Sequence, residues 1–285
     1  MNPSANAVRA GLSRGLQEFR GSFASPMELF GYFYMPVLFV VLGAFMSRGR
    51  VEEADTTYGA VTYTGGVVFT LVMAAMLTVA QVLSAERENG TLLRAKTLPH
   101  GMLGYTVAKV VHIVGIVLTS LALMVVPGLF LVEGFGPPSW GAAATLVWVC
   151  ALGALALAPF GAIAGSLISN PRFVGLLMVP IVFLLMGSGI LFPLDFLPDW
   201  VGTAALFLPV YWMGLGVRAG ALPDDYAALE MAGSWQLPQV AAVLALWAVV
   251  GFLVAPWVLR RMARRESGSR VQAAMEKSWG RRPLR

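Results

Sequence analysis

VTYTGGVVFTLVMAAMLTVAQVLSAERENGTLLRAKTLP, residues Val61 to Pro99, decides the architecture. Its first part, Val61–Leu83, runs 23 residues without a charge. At about 1.5 Å per helical residue, that is long enough to cross a hydrocarbon layer of ~30 Å. From Ser84 the character reverses: Glu86, Arg87, Glu88, Arg94 and Lys96 fall within one short stretch. So abrupt a change marks the place where lipid ends and water begins. Five further stretches are apolar enough to cross: Leu29–Met46, Tyr105–Val132, Trp140–Ile168, Phe173–Phe192 and Val240–Leu259. Of the 285 residues, 58% are apolar and only 12% charged, against ~25% charged in soluble domains. Fifteen acids and twenty bases cannot furnish a water-facing surface for a chain of this size. A soluble enzyme, a disordered chain and a coiled coil are thereby excluded. The fold expected is an all-α membrane protein with six transmembrane helices, an N-terminal interfacial helix and an outer re-entrant segment between the last two spans.

The charges alternate with the spans. Segments 1–28, 84–104, 169–172 and 260–285, with Lys109 counted as a residue snorkelling to that side, hold 17 of the 20 basic residues. The opposite side has Arg48, Arg50 and Arg218 against nine acids. Because Lys and Arg stay cytoplasmic, both termini are expected in the cytoplasm. Trp200, Tyr211, Trp212 and Trp235 fall on the outer side, as an interfacial aromatic belt would. Within 1–28, Val8, Leu12, Leu16, Phe19 and Phe23 share an arc of about 80° on a helix of about 100° per residue. This amphipathic helix suits the cytoplasmic interface, either as a plain anchor or as a coupling element. Its sequence has no apolar core like that of a cleaved leader. The tail 260–285 carries nine bases and is expected to bind anionic lipid or to fix orientation.

The spans lack the groups that chemistry or ion coupling would need. No Asp or Glu lies at mid-depth, so a carboxylate to carry a coupling ion is missing. His112 is the titratable group deepest in a span; an interhelical hydrogen bond beside Gly115 and Thr119 accounts for it. Ser188, between Gly187 and Gly189, reads as a small packing residue, and Cys150 as a small hydrophobe. None of Lys96, Lys109 and Lys277 closes a phosphate-cradling loop. No cofactor is therefore expected on this chain, and uphill movement would need energy from another polypeptide.

In the loop 84–104, Glu86 to Glu88 extend the second span, Asn89-Gly90 permits a turn, and Thr91 can cap a short helix that stops near Pro99. Such a helix fits a groove on a partner; a merely solvated turn is the plainer alternative. The outer segment 193–216 contains Pro193, Pro198 and Pro209, and its longest apolar run, Val201–Leu208, is too short to cross. A re-entrant hairpin lidding an exit path, with Phe192, Pro193, Pro198 and Pro209 at the gate, competes with a helix resting on the outer surface. Thr70, Thr78 and Gln81 share a face of the second span, and Met178, Phe183 and Met186 offer soft surface on the fifth. These six are the candidates for a cargo path, and ordinary helix packing is the alternative for each.

ERENGTLLRAKTLP resembles the E-R-E-x-G-T-L-x-R-x-x-x-x-P signature of the ABC transporter type-2 permease family. The match holds at Glu86, Arg87, Glu88, Gly90, Thr91, Leu92, Arg94 and Pro99. ILFPLDFLPDW and LPVYWMGLG further on resemble its drug-exporter branch, the membrane subunits related to daunorubicin-resistance permeases. Ala95-Lys96-Thr97-Leu98 departs from the branch's usual residues. The resemblance implies a bacterial inner-membrane exporter of hydrophobic drugs, natural products or lipids. It also implies that the loop docks on a cytoplasmic ABC ATPase, present in two copies, which holds ATP and Mg. A second permease, identical or a sister chain, would complete the assembly within membrane lipid, with no nucleic acid involved. Thr91 to Leu98 would be the docking helix. A polysaccharide or glycolipid exporter and a non-transporting membrane scaffold are the rival readings.

Overall fold

Lipid offers backbone amides no hydrogen bonds, so a spanning chain must satisfy them within its own helices. The computed structural model describes residues 3–24, 26–88, 91, 95, 100–168, 171–190 and 198–265, and among them the chain is almost entirely helical. An interfacial helix α1 (Pro3–Gly21) precedes α2 (Pro26–Met46). Then come α3 (Tyr58–Val72), a π-helical stretch (Met73–Thr78) and α4 (Val79–Glu88), which continue one another as a single rod. α5 (Gly101–Leu131) and α6 (Trp140–Leu167) follow. A 3-10 stretch (Pro171–Leu177) leads into α7 (Met178–Gly187); α8 (Asp199–Ala205), α9 (Pro209–Ala221) and α10 (Leu237–Arg265) complete the order. Thr57 and Ser139 start α3 and α6 by accepting hydrogen bonds from the amides of Ala60 and Ala142, each at 3.1 Å.

Five of these helices are long and apolar enough to cross a membrane, with the α3–α4 rod from Tyr58 to Glu86 as the second. The stretch expected as the fifth span, Phe173–Phe192, is not a continuous α-helix. Its described part is the 3-10 stretch and α7, and Pro180, just past their junction, removes one backbone donor there. The tighter winding partly restores the reach: seven 3-10 residues rise ~14 Å and ten α residues ~15 Å, close to the ~30 Å of the hydrocarbon layer.

The outer segment folds inward. α8 and α9 meet at 81°, as a re-entrant element or a broken span. Helical structure runs on to Ala221, beyond the expected limit at residue 216. Every residue of α9 is buried, among α3, α6 and α10. At the corner, the indoles of Trp212 and Trp247 donate to the carbonyls of Leu206 (2.8 Å) and Phe207 (3.0 Å), so the bend leaves these groups satisfied.

Side chains gain little by leaving lipid for a protein interior, so close backbone approach carries much of the packing. Gly161 and Gly165 of α6 lie against the second span. A Cβ at Gly161 would stand 2.5 Å from the Met76 carbonyl oxygen, and one at Gly165 2.5 Å from that of Ala80. Replacing Gly161 by Ala is expected to destabilise the chain by about 1–3 kcal/mol through overpacking. Gly21→Ala, with nothing within 4 Å of the added carbon, is expected to leave it unchanged. Thermal unfolding in detergent compares the two.

Candidate functional site

At the basic end of the bundle three helices meet on one lysine. Lys109 of α5 forms ion pairs with Glu18 of α1 and with Glu86 at the end of α4. The hydroxyl of Tyr105, one turn before Lys109, donates to Glu86. Arg14 reaches Glu18 at 2.8 Å. His112 shares a 2.9 Å hydrogen bond between its Nε2 and the Ser22 hydroxyl, and its Nδ1 lies 3.7 Å from Glu18. The Lys109 side chain is only 13% exposed, so it does not snorkel to water. Two carboxylates compensate its charge where it stands, as a half-buried ammonium requires. His112 makes an interhelical bond as expected, but its partner is on α1, while Phe19 fills the space beside Gly115.

The sequence of α1 explains how it reaches this cluster. Gly11 and Gly15 are buried against α5, where an added Cβ would stand 2.5 Å from the carbonyl oxygens of Gly104 and Ala108. Leu12 and Leu16, members of the apolar arc, are 49% and 43% exposed. The helix thus docks by a glycine edge and keeps part of its leucine face outward. Burial pushes the Glu18 carboxyl up, but hydrogen bonds and charge from Lys109 and Arg14 outweigh it and hold the group below its ordinary range.

Of the residues resembling the coupling signature, Glu86 is the one whose contacts are defined. Arg87 and Glu88 have helical backbone within α4, and Thr91 is helical and half-buried. Gly90, Leu92, Arg94 and Pro99 lie outside the described residues, as do Phe192 and Pro193 of the expected outer gate. Pro198 caps α8 and Pro209 opens α9. The buried Arg218 of α9 forms a further pair with the half-buried Glu230, at 2.5 and 2.9 Å. Sequence reading had placed this arginine with the outer charges.

A cleft of about 440 Å³ opens between α2, the second span, α5 and the start of α7. Thr70, Thr78, Gln81 and Met178 all line it. Phe183 and Met186 do not: Phe183 is 69% exposed and Met186 half-buried, on other sides of α7. Tyr32, Tyr34, Met73 and Ser120 join the lining and were not singled out from sequence. The π-helical stretch forms part of the wall, where one extra residue per turn changes which side chains face inward.

Removing the Lys109 charge takes that cation from Glu86 and leaves Glu18 with Arg14. Lys109→Met is expected to cost about 3 kcal/mol of stability, and Glu18→Gln in that background should cost less than in the native chain, which a double-mutant cycle measures. The contribution of Glu18 has a definite pH sense. With its folded pKa lowered, stabilisation is complete above the unfolded value of ~4.3 and fades as pH falls through the folded one. Hydrogen exchange of α1 should therefore accelerate on acidification, and Glu18→Gln should flatten that response.

The family model described as ABC-2 family transporter protein matches residues 50–257, well over half of the chain. No curated protein matches it. The match takes in Glu86 on the second span, Lys109 on α5, the cleft wall apart from its α2 side, and the buried α9. The chain belongs to the ABC-2 family of transporter proteins, as a multi-pass membrane permease.

Proposed function

We propose that this permease is the membrane subunit of an ATP-driven exporter for hydrophobic or amphiphilic molecules such as drugs, natural products or lipids. The observation that carries the reading is the placement of Glu86. It ends the rod that walls the cleft, it opens the loop with the coupling signature, and it is fixed through Lys109 to α1 and α5. A rigid-body push on that loop would tilt the whole rod. Family membership implies an ABC ATPase as partner, and ATP with Mg belongs to that subunit in this reading. Two ATPase copies and a second permease would form the working unit. The alternation of basic segments supports a bacterial inner-membrane setting with both termini cytoplasmic. The cleft wall is mainly apolar and of small-molecule size, which speaks for an amphiphile over a glycan chain.

Reconstitution with and without the cognate ATPase tests the reading. ATP-dependent efflux is expected only with both subunits, and the permease alone should not accumulate solute under an imposed ion gradient. Glu86→Gln combined with Arg94→Ala is expected to reduce efflux roughly tenfold with normal membrane insertion. Unchanged efflux in that variant would assign the chain a scaffolding role.

A further inference from the structure

We infer that the cleft selects amphiphiles whose polar group is neutral and hydrogen-bonding, and that Thr70 is the residue that reads this group. The inference rests on the permease reading and narrows its cargo.

The described lining contains no Asp, Glu, Lys, Arg or His. A cation or anion entering would shed water without meeting a counter-charge, a cost that apolar contact does not return. Each ring that lines the cleft has one flank on a neighbouring ring: Phe69 on Phe39, Tyr32 on Phe23, and Tyr34 on Phe30 with centroids 5.4 Å apart. A neutral amide, hydroxyl or carbonyl has no such penalty, provided it finds one partner.

Thr70 is that partner. The residue is 8% exposed, and its hydroxyl oxygen is closed off from solvent with no hydrogen-bond partner among the described residues. A threonine inside a helix ordinarily satisfies its hydroxyl on the preceding turn's carbonyl. Thr64 does so with Val61 at 2.7 Å, three residues back. Thr70 makes no such bond, although it stands one turn before the π-helical stretch and lines the cleft. A buried polar group without a partner is costly to keep. A hydroxyl both donates and accepts, so a turn of the Thr70 side chain that brings its oxygen to the cleft lets it serve either kind of neutral group. Gly31–Pro36 come from the first half of α2, and Met178 opens α7, so the cleft lies in the half of the bundle nearer the basic end. An amphiphile would enter from the leaflet on that side.

Three probes with one aromatic body decide the matter: pyrenebutanamide, pyrenebutylammonium and pyrenebutanoate. Binding to the full chain in nanodiscs is measured by fluorescence against empty nanodiscs of the same lipid. Saturable binding of the amide, roughly tenfold tighter than of either ion, is expected. Thr70→Val should weaken the amide about fivefold and leave the ions unchanged, while Thr70→Ser should retain amide binding. Equal or tighter binding of an ion, no saturable amide binding, or amide affinity indifferent to Thr70→Val would each overturn the inference. None of these readouts needs ATP. Amide selectivity with no ATP-driven efflux would sink the permease reading and leave the cleft's selectivity standing; efflux with ion selectivity would do the reverse.

Discussion

A single ammonium shared by two carboxylates organises the basic end of this molecule. Lys109 is largely withdrawn from solvent and faces both Glu18 and Glu86, while Arg14 gives Glu18 a second cation. The three groups come from three helices, so the compensation of charge also fixes helix positions. α1 cannot leave the bundle without exposing one half of the arrangement, and the end of the second span cannot swing without exposing the other. Tyr105 donates to Glu86, Arg14 donates to Glu18, and Ser22 pairs with His112 beside them. This is how an interfacial helix, amphipathic enough to be only an anchor, becomes part of the machinery at the base of the second span.

Away from that cluster the bundle relies on contact between backbones. Gly11 and Gly15 seat α1 on α5; Gly161 and Gly165 seat α6 on the second span. The same four-residue spacing recurs because it places two small residues on one helix face. α9 is the extreme case, buried on every side, with Arg218 tolerable there because Glu230 lies beside it.

What the sequence disclosed follows from which signals are local. Apolar length located the spans, because crossing lipid is a property of each segment by itself. The fifth is not one regular helix, since its 3-10 winding and the proline at 180 concern backbone geometry, which apolar length does not report. A shared face on the second span was visible by periodicity, and Thr70, Thr78 and Gln81 do line one cleft. Met178 joins them, while Phe183 points elsewhere: at about 100° per residue the two stand about 140° apart on α7. The link from Lys109 to Glu18 joins residues 91 positions apart, and charge patterning along one helix cannot reveal it. Only the glycine spacing in α1 hinted that this helix had a protein partner, and its leucine arc drew attention to the wrong edge.

The surplus residue wound into Met73–Thr78 has a consequence for timing within the molecule. Were that stretch to revert to ordinary α winding, everything below it would turn by about one residue's step, ~100°. Thr78 and Gln81 would rotate out of the cleft wall in the same movement that carried Glu86 off Lys109. The winding of Met73–Thr78 therefore sets, in one rod, both which side chains wall the cleft and where Glu86 meets Lys109.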